Sequence, residues 1–157
     1  MTVAADLNVP PLLLGLAFAS AFVGLWLLIC WTLGKGSGWS TLQDRYPDRD
    51  DACFARLSMQ SFSMGKIGRL RTRFKNCVTI EACSTGVRFR LWPLWGMFQR
   101  PFFVPWGDIA ASEWKLMFLR SAKIRFSGWP DGDMIMPVAR WNAIAAVAPE
   151  GGLNLAA

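Results

Sequence analysis

The residue types that carry most enzymatic chemistry are scarce in this chain, and their spacing is unsuited to it. Histidine is absent from all 157 residues, which removes the commonest general base and the commonest zinc ligand. Of the four cysteines, Cys30 falls in an apolar run. Cys53, Cys77 and Cys83 show no obvious even pairing, as expected of free thiols in a reducing compartment. Cys77 and Cys83 stand in a strand-like pattern and not as a CxxC pair. With Cys53 they supply three thiolates, short of the tetrahedral set of a structural zinc. The acids are scattered: Asp131 and Asp133 flank a turn glycine, and Asp108 follows an apolar strand as a turn cap. The GKGSG segment at 34–38 follows an apolar helix, lacks the ending of a phosphate loop and reads as a flexible exit. No catalytic residue, metal or cofactor is assigned, and a non-catalytic protein is expected.

Two constellations rise above this background, and both are suited to contact. The first is basic. Residues 56–100 hold nine Lys or Arg against the single acid Glu81, whereas residues 101–157 balance five against five. Within KIGRLRTRFK lie Lys66, Arg69, Arg71, Arg73 and Lys75, the last four with the spacing that puts them on one side of an extended chain. They are candidates for lipid headgroup contact, each worth about 1 kcal/mol near an anionic surface. A solvated basic hairpin is the plain alternative. Nucleic acid is not expected, because no nucleic-acid-binding motif accompanies the patch.

The second is the stretch LWPLWGMFQRPFFVPWGDI at 91–109, with three Trp, three Phe and three Pro. Residues 102–106 and Ile109 read as strand and core. Trp92, Leu94, Trp95, Met97 and Phe98 lie between two strands around Pro93 and Gly96, with Arg90 and Arg100 at the flanks. A hairpin this apolar is not left in water. It folds into the core, dips into a membrane interface, or forms the aromatic centre of a protein interface.

The elements that must position these residues begin with a membrane-length segment. Residues 12–33 form a 22-residue run without charge, about 33 Å as a helix and enough to cross a hydrocarbon core of about 30 Å. It is too long for a signal-peptide core, and no Lys or Arg precedes it. Gly15, Ala19, Ser20 and Gly24 give small-xxx-small spacings for contact with another helix. Lys35, Arg45 and Arg49 follow the run, so the positive-inside rule places the N-terminus outside and the remainder in the cytoplasm.

Period-two alternation then predicts strands at 53–64, 76–83, 86–92, 101–106, 112–120, 122–128 and 133–138, with a turn at PDG, 130–132. Val78, Ile80 and Ala82, then Val87, Phe89 and Leu91, then Ile124 and Phe126 mark the inward faces. The period changes at 138–148, where Val138, Trp141, Ile144, Ala145 and Ala148 share a helical face. The organisation is a lead at 1–9, an anchor at 10–34, a juxtamembrane linker at 35–52, a mainly β domain at 53–148 and a loose tail at 149–157.

Seven strands and a closing helix in this order resemble the pleckstrin-homology (PH) superfold. FFVPWGDI is similar to a segment of bacterial PH-like and GRAM-like domains. With GWSTLQDRY at 38–46, the chain over 10–148 resembles small uncharacterised bacterial proteins that pair one N-terminal anchor with a PH-like domain. That resemblance implies a seven-stranded barrel or sandwich capped by a helix, no enzymatic activity and no agreed ligand. The expectation is a single-pass protein of the bacterial inner membrane. It acts as an accessory or assembly subunit with integral membrane protein partners, or alternatively as a sensor of anionic membrane lipids.

Overall fold

The computed structural model describes residues 10–68, 71–116 and 119–148. Helix α1 spans Pro11–Ser37. Proline fits its first turn because the N–H it lacks would have no helical partner there. The expected flexible exit is instead the last part of this helix, which ends at Gly38 with φ +91°. Only a residue without Cβ enters that left-handed turn freely, and a Cβ on Gly38 would lie 2.2 Å from the Trp129 ring. α1 is long and apolar enough to cross a membrane, and its most apolar window is unburied by the rest of the chain.

A second short helix, α2 (Trp39–Arg45), follows the cap directly. It carries the chain into the domain. Trp39 and Leu42 are fully buried in the core, and Tyr46 just beyond is nearly so. The Tyr46 hydroxyl accepts the Gly128 N–H at 2.7 Å, and the Trp39 indole N–H donates to the Arg100 carbonyl at 3.0 Å.

Seven strands form one antiparallel sheet in the order β4-β3-β2-β1-β7-β6-β5. They are β1 (Cys53–Lys66), β2 (Thr72–Cys83), β3 (Gly86–Leu91), β4 (Phe102–Pro105), β5 (Ile109–Leu116), β6 (Leu119–Phe126) and β7 (Trp129–Pro137). A single 3₁₀ turn, Trp106–Asp108, links β4 to β5. β1 belongs to both halves: it pairs with β2 over most of its length and with β7 from Ser63 to Lys66. Register shifts near Gln60, with Met59 and Asn76 both at positive φ, bend the β1–β2 ladder. The sheet packs alternating side chains into one core. Every inward-facing residue expected from β2, β3 and β6 is buried. Helix α3 (Val138–Ala145) packs Trp141 and Ile144 onto that core.

Four expectations are corrected. The chain at 112–120 is not one strand: Leu116 pairs with Leu119, so β5 and β6 are a hairpin. Residues 130–132 are not a turn. They belong to β7, where Gly132 pairs with Lys66, and the turn is made at Ser127 and Gly128. Arg73 and Lys75, expected between the first two strands at 53–64 and 76–83, lie within β2. Finally, Cys53 and Cys83 are not free. They sit directly opposite across the β1–β2 ladder and form a disulfide, leaving Cys30 and Cys77 as thiols.

Candidate functional site

The aromatic stretch does not fold into the core. Trp92, Leu94, Trp95, Met97 and Phe98 are all exposed, between 44% and 60%. The loop that carries them is nevertheless built. Trp95 and Gly96 donate backbone N–H groups to the Trp92 carbonyl at 3.0 and 2.9 Å, and Gln99 donates to Gly96 at 3.1 Å. Its far end is tied to α2, where the Arg100 N–H donates to Gln43 Oε1 at 2.9 Å. The loop then lies along α1. The Trp26 and Trp95 rings approach to 6.3 Å between centroids, and Gln99 Nε2 donates to the Cys30 carbonyl at 2.8 Å. A Cβ at Gly34 would lie 2.1 Å from Gln99 Nε2, so any larger residue there displaces the end of this side chain. The exposed apolar side chains of the loop therefore extend the apolar surface of the C-terminal part of α1.

The five basic candidates separate. Arg69 lies outside the described residues. Lys66 is exposed at the end of β1. Arg71 is committed inward: it forms an ion pair with Asp133, and its guanidinium also donates to the Asp133 carbonyl at 3.3 Å. Asp133, 2% exposed, takes Lys123 Nζ on its other oxygen at 3.2 Å. It was expected in a turn and is the acid of a buried ion cluster, so Arg71 is structural. Arg73 and Lys75 are exposed and make no ion pair among the described residues. Among the described residues the stripe thus leaves Lys66 at the end of β1 and two unpaired cations on β2.

Those two line a pair of cavities. One, of 320 Å³, lies toward β6 and includes Ser61, Ser63, Leu119 and Ser121. The other, of 250 Å³, lies between β2, the aromatic loop and the end of α1, and includes Cys30, Leu33, Phe74, Cys77, Trp95 and Gln99. Burial pushes the Cys77 thiol above its ordinary pKa. Gln99 is a residue that sequence reasoning did not single out, although a lone amide amid aromatics was the available signal. Lys35 sits 4.2 Å over the Trp31 ring, marking where charge meets the apolar run.

Elsewhere, Glu81 lies between Arg88, at 3.3 Å, and Arg56, at 3.7 Å, and Arg88 also reaches Asp48 at 2.7 Å. Burial works to lower the Arg88 pKa, but the hydrogen bonds and charges of Asp48 and Glu81 raise it on balance. Of the helix-contact candidates, Ser20 spends its hydroxyl on the Leu16 carbonyl at 2.8 Å. With Ala19 and Gly24 it lines an open furrow on α1, and Gly15 has nothing packed on it. Among the described residues no cluster of His, Cys, Asp and Glu is arranged to hold a metal ion. No protein-family model matches this chain, and neither a curated protein nor a solved structure matches it significantly.

Proposed function

We propose that this is a non-catalytic, single-pass membrane module whose PH-like domain lies against the bilayer and engages anionic lipid. The observation that carries it is the loop at 91–100 seated along α1, with Arg73 and Lys75 beside it and in no ion pair among the described residues. In a spanning α1 that placement puts Trp92, Trp95 and Phe98 at the interface, where amphipathic aromatic rings reside, and the cations at headgroup height. Support for the PH-like reading is the sheet order with β1 shared by both halves and α3 closing the core. The setting is a bacterial inner membrane with the N-terminus outside, on the charge asymmetry of Lys35, Arg45 and Arg49. The Cys53–Cys83 disulfide removes the cysteine argument for a cytoplasmic domain, because cytosolic disulfides are uncommon.

The test is amide exchange on the full-length protein in nanodiscs. Exchange over residues 71–77 and 91–100 should be slower in discs containing anionic lipid than in neutral discs, and high salt should erase the difference. Equal exchange in both discs overturns the lipid reading. The second reading, an accessory subunit bound through α1, rests on the open furrow at Ala19, Ser20 and Gly24. It predicts co-migration with larger membrane subunits after gentle extraction, and migration alone would sink it.

A further inference from the structure

We propose that the cavity beneath α1 is a site for one anionic glycerophospholipid whose headgroup carries a free hydroxyl, the chemistry of phosphatidylglycerol. This rests on the lipid reading above and sharpens it from a charged surface to a built site.

Depth is the first argument. Cys30 and Gly34 stand about 28 and 35 Å along the helix from Pro11, taking about 1.5 Å per residue. A hydrocarbon core of about 30 Å that begins at Pro11 ends at the level of this cavity. Leu33, Phe74 and Trp95 give it an apolar wall suited to the glycerol backbone and the first acyl carbons, while Arg73 and Lys75 stand at its rim. Neither cation has an acidic partner among the described residues, so both are free for a phosphodiester.

Gln99 supplies the second argument. It is 9% exposed and lines the cavity. Its Nε2 is spent on the Cys30 carbonyl, and its Oε1 has no hydrogen-bond partner among the described residues. A buried carbonyl oxygen calls for a donor. A phosphodiester at neutral pH has none, and neither does a choline head. An ethanolamine head has one but is zwitterionic, which suits two free cations less well. A glycerol head on a phosphodiester offers both the hydroxyl for Gln99 and the net negative charge for Arg73 and Lys75.

Cys77, a half-buried thiol in the cavity wall, provides the readout. Full-length protein is placed in phosphatidylcholine nanodiscs alone, or with a minor fraction of phosphatidylglycerol or of phosphatidylmethanol, an anionic phosphodiester without a hydroxyl. Maleimide labelling is followed at Cys77 by peptide mapping, at mildly alkaline pH because burial raises this thiol. Phosphatidylglycerol should slow labelling about tenfold, as for a site occupied at ten times its Kd. Phosphatidylmethanol should slow it much less. Arg73→Gln with Lys75→Gln, both exposed and outside the core, should abolish the protection. Gln99→Met should remove the preference for phosphatidylglycerol. Equal protection by the two anionic lipids overturns the hydroxyl-selective site while leaving the bilayer reading intact. Protection by neither overturns the site outright, and the exchange experiment above then reports separately on the wider reading.

Discussion

Asp51 shows how much a single half-buried carboxylate can organise at the end of this sheet. One of its oxygens accepts from the Ser84 hydroxyl and from the Ala52 N–H at 2.8 Å, and the other from the Thr85 N–H and hydroxyl, both at 2.8 Å. It thereby fastens the start of β1 to the β2–β3 turn, next to the Cys53–Cys83 disulfide. The Ser84 hydroxyl bond, followed by the Thr85 backbone bond, holds its pKa at about 2, below the ordinary 3.8. A carboxylate with a lowered folded pKa adds stability above its unfolded pKa and loses it as pH falls through the folded one. Asp51→Asn should therefore melt at a lower temperature than the parent at neutral pH, and the gap should close between about pH 4 and pH 2. A constant gap across that window, measured by tryptophan fluorescence, would show that the hydrogen bonds do not depend on ionisation. None of this was legible beforehand: Asp51 sits in an unpatterned acidic stretch, and its Ser84 and Thr85 partners lie more than thirty residues away.

At the scale of elements, the junction between α1 and α2 decides how the domain hangs from the helix. Gly36 and Gly38 look alike in the sequence, yet their surroundings differ. Gly36 lies within α1 with open space at its missing Cβ, whereas Gly38 is left-handed and pressed against Trp129. Alanine at 36 should leave stability unchanged or raise it by up to about 1 kcal/mol, because glycine is costly inside a helix. Alanine at 38 should cost more than about 1 kcal/mol, because both the dihedral and the space are wrong. Urea unfolding of the detergent-solubilised protein checks the pair, and similar effects at both positions would refute a rigid junction. The sequence pointed to a break here because Lys35 and three glycines follow the apolar run. Only packing of Trp39 and Leu42 into the core distinguishes a helix cap from a linker.

At the scale of the whole molecule, charge and disulfide bear in opposite directions on the orientation of a spanning α1. Lys35 in the last turn of α1, with Arg45 and Arg49 beyond it, favours a cytoplasmic domain, whereas disulfides such as Cys53–Cys83 are commoner in oxidising compartments. On the charge asymmetry, a cysteine introduced by Ala139→Cys, an exposed position on α3, should resist an impermeant maleimide in intact cells and react after permeabilisation. Labelling in intact cells would place the domain outside and make the disulfide constitutive.

What the sequence determined alone is what repeats locally. A run of 22 uncharged residues shows its length directly, and alternation at period two names the buried faces of β2, β3 and β6 because each side chain's face depends on its neighbours in the chain. The tertiary structure decided which distant residues meet. The Gln99 bond to Cys30 spans 69 positions, and the Arg71 bond to the Asp133 backbone spans 62. The disulfide joins residues 30 apart. Such meetings depend on strand register, on the turn at Ser127 and Gly128, and on the angle at which α1 enters the domain. Period and composition do not encode those quantities. The basic stripe therefore read as five equivalent cations, and packing divided the four that are described into one spent on Asp133, one at the end of β1 and two left free beside the cavity.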